Sequence, residues 1–347
     1  MEELHIQRKN NNLETEKKVT LNKDWNDKNF LVNIEGKKLT IRECYDKAIK
    51  RSNEIFESTR KVALEEIPNG KYILYINSTI EGLVRSGDIE HIDEKRLEYM
   101  YLAETGSTKI DPDNFPKNNI LRCLGLKEED NRLVAINAFK DEIPKDLSNC
   151  VGIVFSGSET DITDETHLER IEMTNKARIL VKKSDELLIP KLGICFGGQL
   201  LASEAGAKIQ WILNEKGEKI RKTGLNIISE TKVDRKTILP FEFNKTSYYV
   251  AQNHGQEIIE GTIPYGGEII AKSIDGKPEL IYFVESNTIC TQFHPEVSTI
   301  RLDIAEDIIN HKEDRIKLFT ENPDEMKEVL FPNYLKMAGS YIRNKSK

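Results

Sequence analysis

The chain has 347 residues, with 51 Lys and Arg against 58 Asp and Glu, for a net charge of −7. That length predicts two domains, or one large domain with an appendage, and enough chain to bury a substantial core. The mild acidity and the lack of a long Lys/Arg block argue against gripping nucleic acid, and no run reaches the ~18–20 apolar residues of a membrane span.

Residues 1–38 are rich in Asn, Lys and Glu and read as a loosely docked, polar segment without the apolar core of a signal peptide. A helix is expected to begin at Thr40, because Thr40 and Glu43 have the spacing of a capping box. Ile41, Tyr45, Ala48, Ile49, Phe56, Val62 and Ala63 follow at roughly helical spacing, and this stripe needs a surface to cover. Docking on the main domain is one reading and binding a partner is the other. Asn69-Gly70 then breaks the chain.

Three nearly continuous apolar runs, at 72–78, 133–139 and 151–158, read as strands buried on both faces. Helix-like stretches at 164–189 and 197–205 alternate with later elements, which predicts an α/β fold with a mostly parallel central sheet between two helical layers. The segment 86–131 between the first two strands is long. Asp111-Pro112 and Phe115-Pro116 interrupt it, and it reads as an insertion.

The strongest local signal is Leu192-Gly193-Ile194-Cys195-Phe196-Gly197-Gly198-Gln199. Gly193-x-Cys195-x-Gly197 has the form of a nucleophile elbow with cysteine in the place of serine, where the tight strand–helix turn demands small neighbours. A cysteine there sits at a helix N-terminus, which favours thiolate and supplies N–H groups for an oxyanion. The alternative is a buried cysteine in an ordinary glycine-rich turn. The five cysteines are widely spaced with no C-x-x-C pair, so free thiols in a cytoplasmic protein are expected, with no metal site and no cofactor.

A thiol nucleophile needs a base. Of six histidines, His5, His91, His167 and His311 lie in polar or charged surroundings. His254 lies in Gln252-Asn253-His254-Gly255, read as a turn, where a substrate contact and a local structural role are both open. His294 lies in Gln292-Phe293-His294-Pro295-Glu296, at the end of a strand that Pro295 stops. Glu296, two residues on, could orient the imidazole.

Together these segments resemble the class I glutamine amidotransferases. The resemblance rests on the elbow at 193–199, Q-F-H-P-E at 292–296, S-G-S at 156–158, Q-N-H-G at 252–255 and the stretch 273–283. It covers about 70–312 and points to stand-alone members similar to the amidotransferase domain of GMP synthetase and to the carbamoyl-phosphate synthetase small subunit. It implies a flavodoxin-like three-layer sandwich over 69–347, with 1–68 a partly helical extension. It implies that Cys195 attacks the glutamine amide, that His294 moves the proton and that Glu296 orients His294. It further implies that N–H groups near Gly157 and Phe196 hold the oxyanion, and that Ser158, Gln199, Asn253, His254 and Gly255 line the substrate site. Ser156-Gly157-Ser158-Glu159 stands where the family commonly carries Gly-Gly-Pro. No pyrophosphate or phosphate loop of a synthase occurs. A separate synthase subunit receiving ammonia is therefore expected. A stand-alone γ-glutamyl amide or peptide hydrolase and a non-catalytic protein on the same fold are the alternatives.

Overall fold

The computed structural model describes residues 31–34, 36–78, 115–139, 141–158, 160–231, 243, 245–296, 320 and 325–345. Most of the 86–131 insertion, including Asp111-Pro112, and also His5, His91, His311 and Glu159, lie outside the described residues.

The first described elements correct one expectation. Strands β1 (Leu31–Ile34) and β2 (Lys37–Thr40) pair antiparallel across Gly36, and Val32 and Ile34 are buried. Val32 and Ile34 therefore pack the first strand of this hairpin, while Lys37 and Lys38 of the second stay exposed.

Helix α1 (Ile41–Glu66) starts as its capping box predicts. The Thr40 hydroxyl accepts from Glu43 N at 3.2 Å, and the Glu43 carboxylate accepts from Thr40 N at 2.7 Å. Its buried face is Cys44, Ala48, Ser52, Ile55, Thr59 and Ala63, whereas Phe56 and Val62 are only half-buried. The buried positions are small, so a partner helix can approach closely. That partner is the C-terminal helix, whose Met326, Val329, Leu330, Tyr334, Leu335 and Ala338 are buried. Arg51–Glu328 and Arg343–Glu66 ion pairs, each 2.7 Å, tie the two helices. The buried face of α1 is thus covered from within the chain, and the side chains of Ile41, Tyr45 and Ile49 lie outside those described.

The remaining elements alternate. They are β3 (Tyr72–Asn77), α2 (Phe115–Cys123), β4 (Leu133–Asn137), β5 (Cys150–Phe155), α3 (Leu168–Glu186), β6 (Lys191–Ile194), α4 (Phe196–Glu204) and β7 (Ile209–Trp211). Then come β8 (Lys222–Glu230), β9 (Ser247–His254), β10 (Gln256–Ile258), β11 (Gly267–Ser273), β12 (Pro278–Phe283), β13 (Thr288–Thr291) and α5 (Glu325–Lys345), the C-terminal helix. Nine strands form one sheet in the order β4-β3-β5-β6-β13-β12-β11-β8-β9. The five from β4 to β13 run parallel, and the rest extend the sheet antiparallel.

Alternate side chains serve opposite faces. Ile73, Tyr75, Leu192, Ile194, Leu280 and Ile289 join the layer that contains α5. Leu74, Ile76, Ile153, Phe155, Ile281 and Cys290 join the layer that contains α3 and α4. This is the three-layer flavodoxin-like sandwich. Parallel strands bring the carboxyl ends of β5, β6 and β13 to one edge, where sites of open α/β sheets form.

Two segments differ from the sequence reading. The 164–189 helix starts only at Leu168, after an Asp164-capped turn that His167 and Thr166 close. Gln252, Asn253 and His254 end strand β9 and are not a turn, and Gly255 merely separates β9 from β10. Extended residues there are held by pairing with β8, in the register Lys222↔His254.

Candidate active site

The elbow at the end of β6 is built from close approaches that only glycine allows. A Cβ on Gly193 would lie 2.4 Å from Gly197 O, and one on Gly197 would lie 2.4 Å from Phe155 O. A Cβ on Gly198 would lie 2.5 Å from Thr291 O. The turn forces Cys195 to φ 50° and ψ −107°, a region that residues with a Cβ seldom enter. Hydrogen bonds on both sides hold it there: Cys195 N donates to Thr291 O at 2.7 Å, and Gln199 N donates to Cys195 O at 2.9 Å. The residue therefore stands at the N-terminus of α4, where the Phe196 N–H has no hydrogen-bond acceptor among the described residues.

His294 is anchored by its backbone N–H, which donates to Ala251 O at 2.8 Å. Its Nδ1 lies 2.8 Å from Glu296 Oε1. Nε2 is buried and has no hydrogen-bond partner among the described residues. A buried ring nitrogen left unpaired in a folded protein calls for an explanation, and a reacting proton supplies one. Gly157, just past β5, marks how near the groups come: a Cβ there would sit 2.9 Å from His294 Cε1 and 3.6 Å from Cys195 Cβ. Burial disfavours a charged His294 ring, but the Glu296 carboxylate and the Cys195 sulfur beside it reverse that. Together they hold its pKa well above the ordinary value. The structure thus brings Cys195, His294, Glu296 and Gly157 together from three strand ends.

The family model described as "Glutamine amidotransferase class-I" matches residues 110–305, more than half of the chain. The chain belongs to this family. It is 28% identical over 152 residues to a GMP synthase (glutamine-hydrolyzing) of Wolbachia pipientis wMel, covering 44% of this chain and 27% of that one. It is 29% identical over 170 residues to gamma-glutamyl peptidase 4 of Arabidopsis thaliana, covering 48% and 60%. It is 28% identical over 177 residues to one subunit of the glutamine-hydrolyzing GMP synthase of Sulfolobus acidocaldarius, covering 51% and 80%. The chain therefore matches only part of the length of the first two. A solved structure of a glutamine amidotransferase from Thermotoga maritima aligns with TM-score 0.47 and 18% identity, covering 78% of this chain and 97% of that one.

The other expected site residues fall into two groups. Asn253 borders the thiol, its O lying 3.8 Å from Cys195 Sγ, while the Ser158 hydroxyl accepts from Thr160 N at 3.0 Å. Gln199 and His254 point inward and are buried. Gln199 Nε2 donates to Gln256 O at 2.9 Å. His254 is driven down to about 3 by burial, with His294, Lys222 and Arg221 adding to the shift, so it stays neutral at physiological pH. Gly255 packs against Trp211, where a Cβ would approach the ring to 3.0 Å.

Two residues absent from the sequence reading organise this edge. Gln256 accepts from Gln199 and Gln292 on its carbonyl, and its side chain grips Ile162 N at 3.0 Å and Thr163 Oγ1 at 2.8 Å. It thereby ties the loop after Gly157 to the strands under the elbow. Its only sequence signal is that it follows Gly255 directly. Tyr75 is fully buried on β3, near Ser156 and Glu296. Nothing in the spacing of a buried strand marks such a tyrosine.

Behind β9, Gln252 Nε2 donates to the buried Glu279 carboxylate at 2.6 Å. Burial raises Glu279 to about 8, although Lys222 and Gln252 pull the other way. The folded state therefore keeps a proton that the unfolded state releases near 4.5, and stability falls as pH rises from there to about 8. Glu279→Gln keeps an acceptor for Gln252 and removes the titration. Urea midpoints measured from pH 5 to 8 are expected to show wild type losing roughly 2–4 kcal/mol relative to this variant. Parallel pH curves would reject the assignment.

Proposed function

We propose that the protein hydrolyses the side-chain amide of glutamine through a thioester on Cys195 and supplies the ammonia to a separate synthase. The observation that carries this reading is the convergence on Gly157 of an elbow cysteine and a histidine bonded to Glu296 at 2.8 Å. The Cys195 sulfur attacks the amide carbon with its proton already held by the charged His294 ring. The Gly157 and Phe196 N–H groups receive the oxyanion. His294 gives the proton to the departing nitrogen, the C–N bond breaks, and ammonia leaves. Water, activated by the now neutral His294, cleaves the thioester and yields glutamate and free thiol. Glu296 keeps the ring oriented and stabilises its charged form throughout. Among the described residues no group of three or more His, Cys, Asp or Glu is placed to hold a metal ion.

The similarity to gamma-glutamyl peptidase 4 supports a second reading, hydrolysis of γ-glutamyl amides or peptides by the same residues. Ammonia and glutamate release by purified protein, alone and with cell extract, separates the two. The expected result is release from glutamine that rises with extract and is absent in Cys195→Ala under both conditions. Release from γ-glutamyl peptides but not from glutamine would favour the second reading. Turnover that persists in Cys195→Ala would remove both.

A further inference from the structure

Gln256 joins three segments of the site without touching the thiol or the imidazole. It is buried at the start of β10. Its carbonyl accepts from Gln199 Nε2 at 2.9 Å, one turn along α4 from Cys195. The same carbonyl accepts from Gln292 Nε2 at 3.1 Å, two residues before His294. Its side chain serves the third segment, the loop after β5. There Oε1 accepts from Ile162 N at 3.0 Å, and Nε2 donates to Thr163 Oγ1 at 2.8 Å.

This loop carries Gly157, and its upstream end is held closely. Ser156 N donates to Ile76 O at 3.0 Å, and Ser156 O accepts from Gly197 N at 3.1 Å. The Ser156 hydroxyl accepts from Ser78 N at 2.8 Å and donates to Gly157 O at 2.7 Å. In a trans peptide the N–H points away from the carbonyl. The bond from Gly197 to Ser156 O therefore turns the Gly157 N–H to the opposite side, where it has no acceptor among the described residues. The downstream end is held differently. Thr160 N bonds the Ser158 hydroxyl at 3.0 Å and Asp164 N bonds Asp161 O at 3.1 Å, both within the loop. Among the described residues, no hydrogen bond but the two from Gln256 joins 160–163 to another element. Ile162 is buried, so without Gln256 its N–H would be left unpaired in the interior.

We propose that Gln256 is a positioning residue for the amide hydrolysis. Its side chain fixes the downstream limb of the loop, and so keeps the Gly157 N–H aimed where the oxyanion forms. The inference rests on the proposed hydrolysis and deepens it. A donor that meets charge only in the transition state affects turnover more than substrate binding. Loss of this tether therefore acts on kcat and spares KM.

The test replaces Gln256 by Met, which keeps the backbone carbonyl that Gln199 and Gln292 use but removes both bonds to the loop. Gln256→Met is expected to lower kcat for glutamine about 10–100-fold with KM nearly unchanged. Alkylation of Cys195 by iodoacetamide, followed by mass spectrometry, needs a thiolate but no oxyanion donor, and should keep its wild-type rate. Thr163→Val, at an exposed position, removes one of the two bonds and should give a smaller kcat loss. The double variant should be no slower than Gln256→Met alone, because the Thr163 bond is already gone. If Gln256→Met does not fold, Thr163→Val carries the same comparison of kcat with alkylation. An unchanged kcat, a loss confined to KM, or a kcat loss matched by an equal loss of alkylation rate overturns the assignment. A wild type that releases no ammonia defeats the proposed hydrolysis and leaves hydrogen exchange to decide this inference. Faster exchange over 157–163 in Gln256→Met, with 193–199 unchanged, upholds the positioning of Gly157, and equal exchange refutes it.

Discussion

Glu296→Gln is expected to slow glutamine hydrolysis roughly a thousand- to ten-thousand-fold while leaving the fold intact. The side chain keeps its shape, but the amide loses the negative charge that faces His294 Nδ1 at 2.8 Å. Burial works against a charged ring at His294, and the Glu296 carboxylate is the first of the groups that outweigh it. A histidine whose pKa is raised keeps its proton through neutral pH and loses it on the alkaline side. Without the Glu296 charge that pKa falls, so the alkaline limb of the kcat/KM profile should move to lower pH. The shift belongs to the coupled Cys195–His294 pair and not to either group alone. Steady-state rates across pH 5–10 check both parts. An unchanged limb with an unchanged rate would mean that Glu296 only fills space.

Gly193→Ala is expected to damage both folding and turnover. Its Cβ would meet Gly197 O at 2.4 Å and Gly198 N at 2.6 Å, and these are backbone atoms of the helix that follows the elbow. Relief requires moving α4 or β6, which costs about 1–3 kcal/mol or more in a packed interior. It also displaces Cys195 from its strained φ of 50°. Gly261→Ala is the internal control, since nothing lies within 4 Å of its Cβ position and its φ lies outside the left-handed region. Thermal melts should show a loss of several degrees for Gly193→Ala and almost none for Gly261→Ala. Glutamine turnover should fall by more than the melt alone explains. Equal melts for the two variants would contradict the close-packed elbow.

Local chemistry was the part of this protein most legible in its sequence. The elbow could be read because each of its glycines answers a short-range steric demand, and α1 could be placed because Thr40 and Glu43 cap it within four residues. Strands β3 and β5 were visible as continuous apolar runs because both their faces are buried, whereas β4 reads the same yet lies at the sheet edge with Val134 exposed. The antiparallel strands were harder. Strand β8, KTGLNIISE, is half-exposed along most of its length and mixes polar with apolar residues. The face that α1 buries was misread in part, because small residues such as Ser52 and Thr59 carry little hydrophobic signal yet permit the close approach to α5. Asn253-His254-Gly255 resembles a turn by composition, whereas pairing with β8 draws its first two residues into β9. Gln256 acts through partners 36 to 94 positions away, and no sequence spacing encodes such contacts.

The covalent intermediate tests the central claim most directly. Wild-type protein is mixed with glutamine, quenched in acid within the turnover time, digested and weighed by mass spectrometry. The account predicts one glutamyl group on the peptide that carries Cys195, lost on treatment with hydroxylamine and absent from Cys195→Ala. Ammonia release with no adduct, or an adduct on Cys44, Cys123, Cys150 or Cys290 instead, would contradict it.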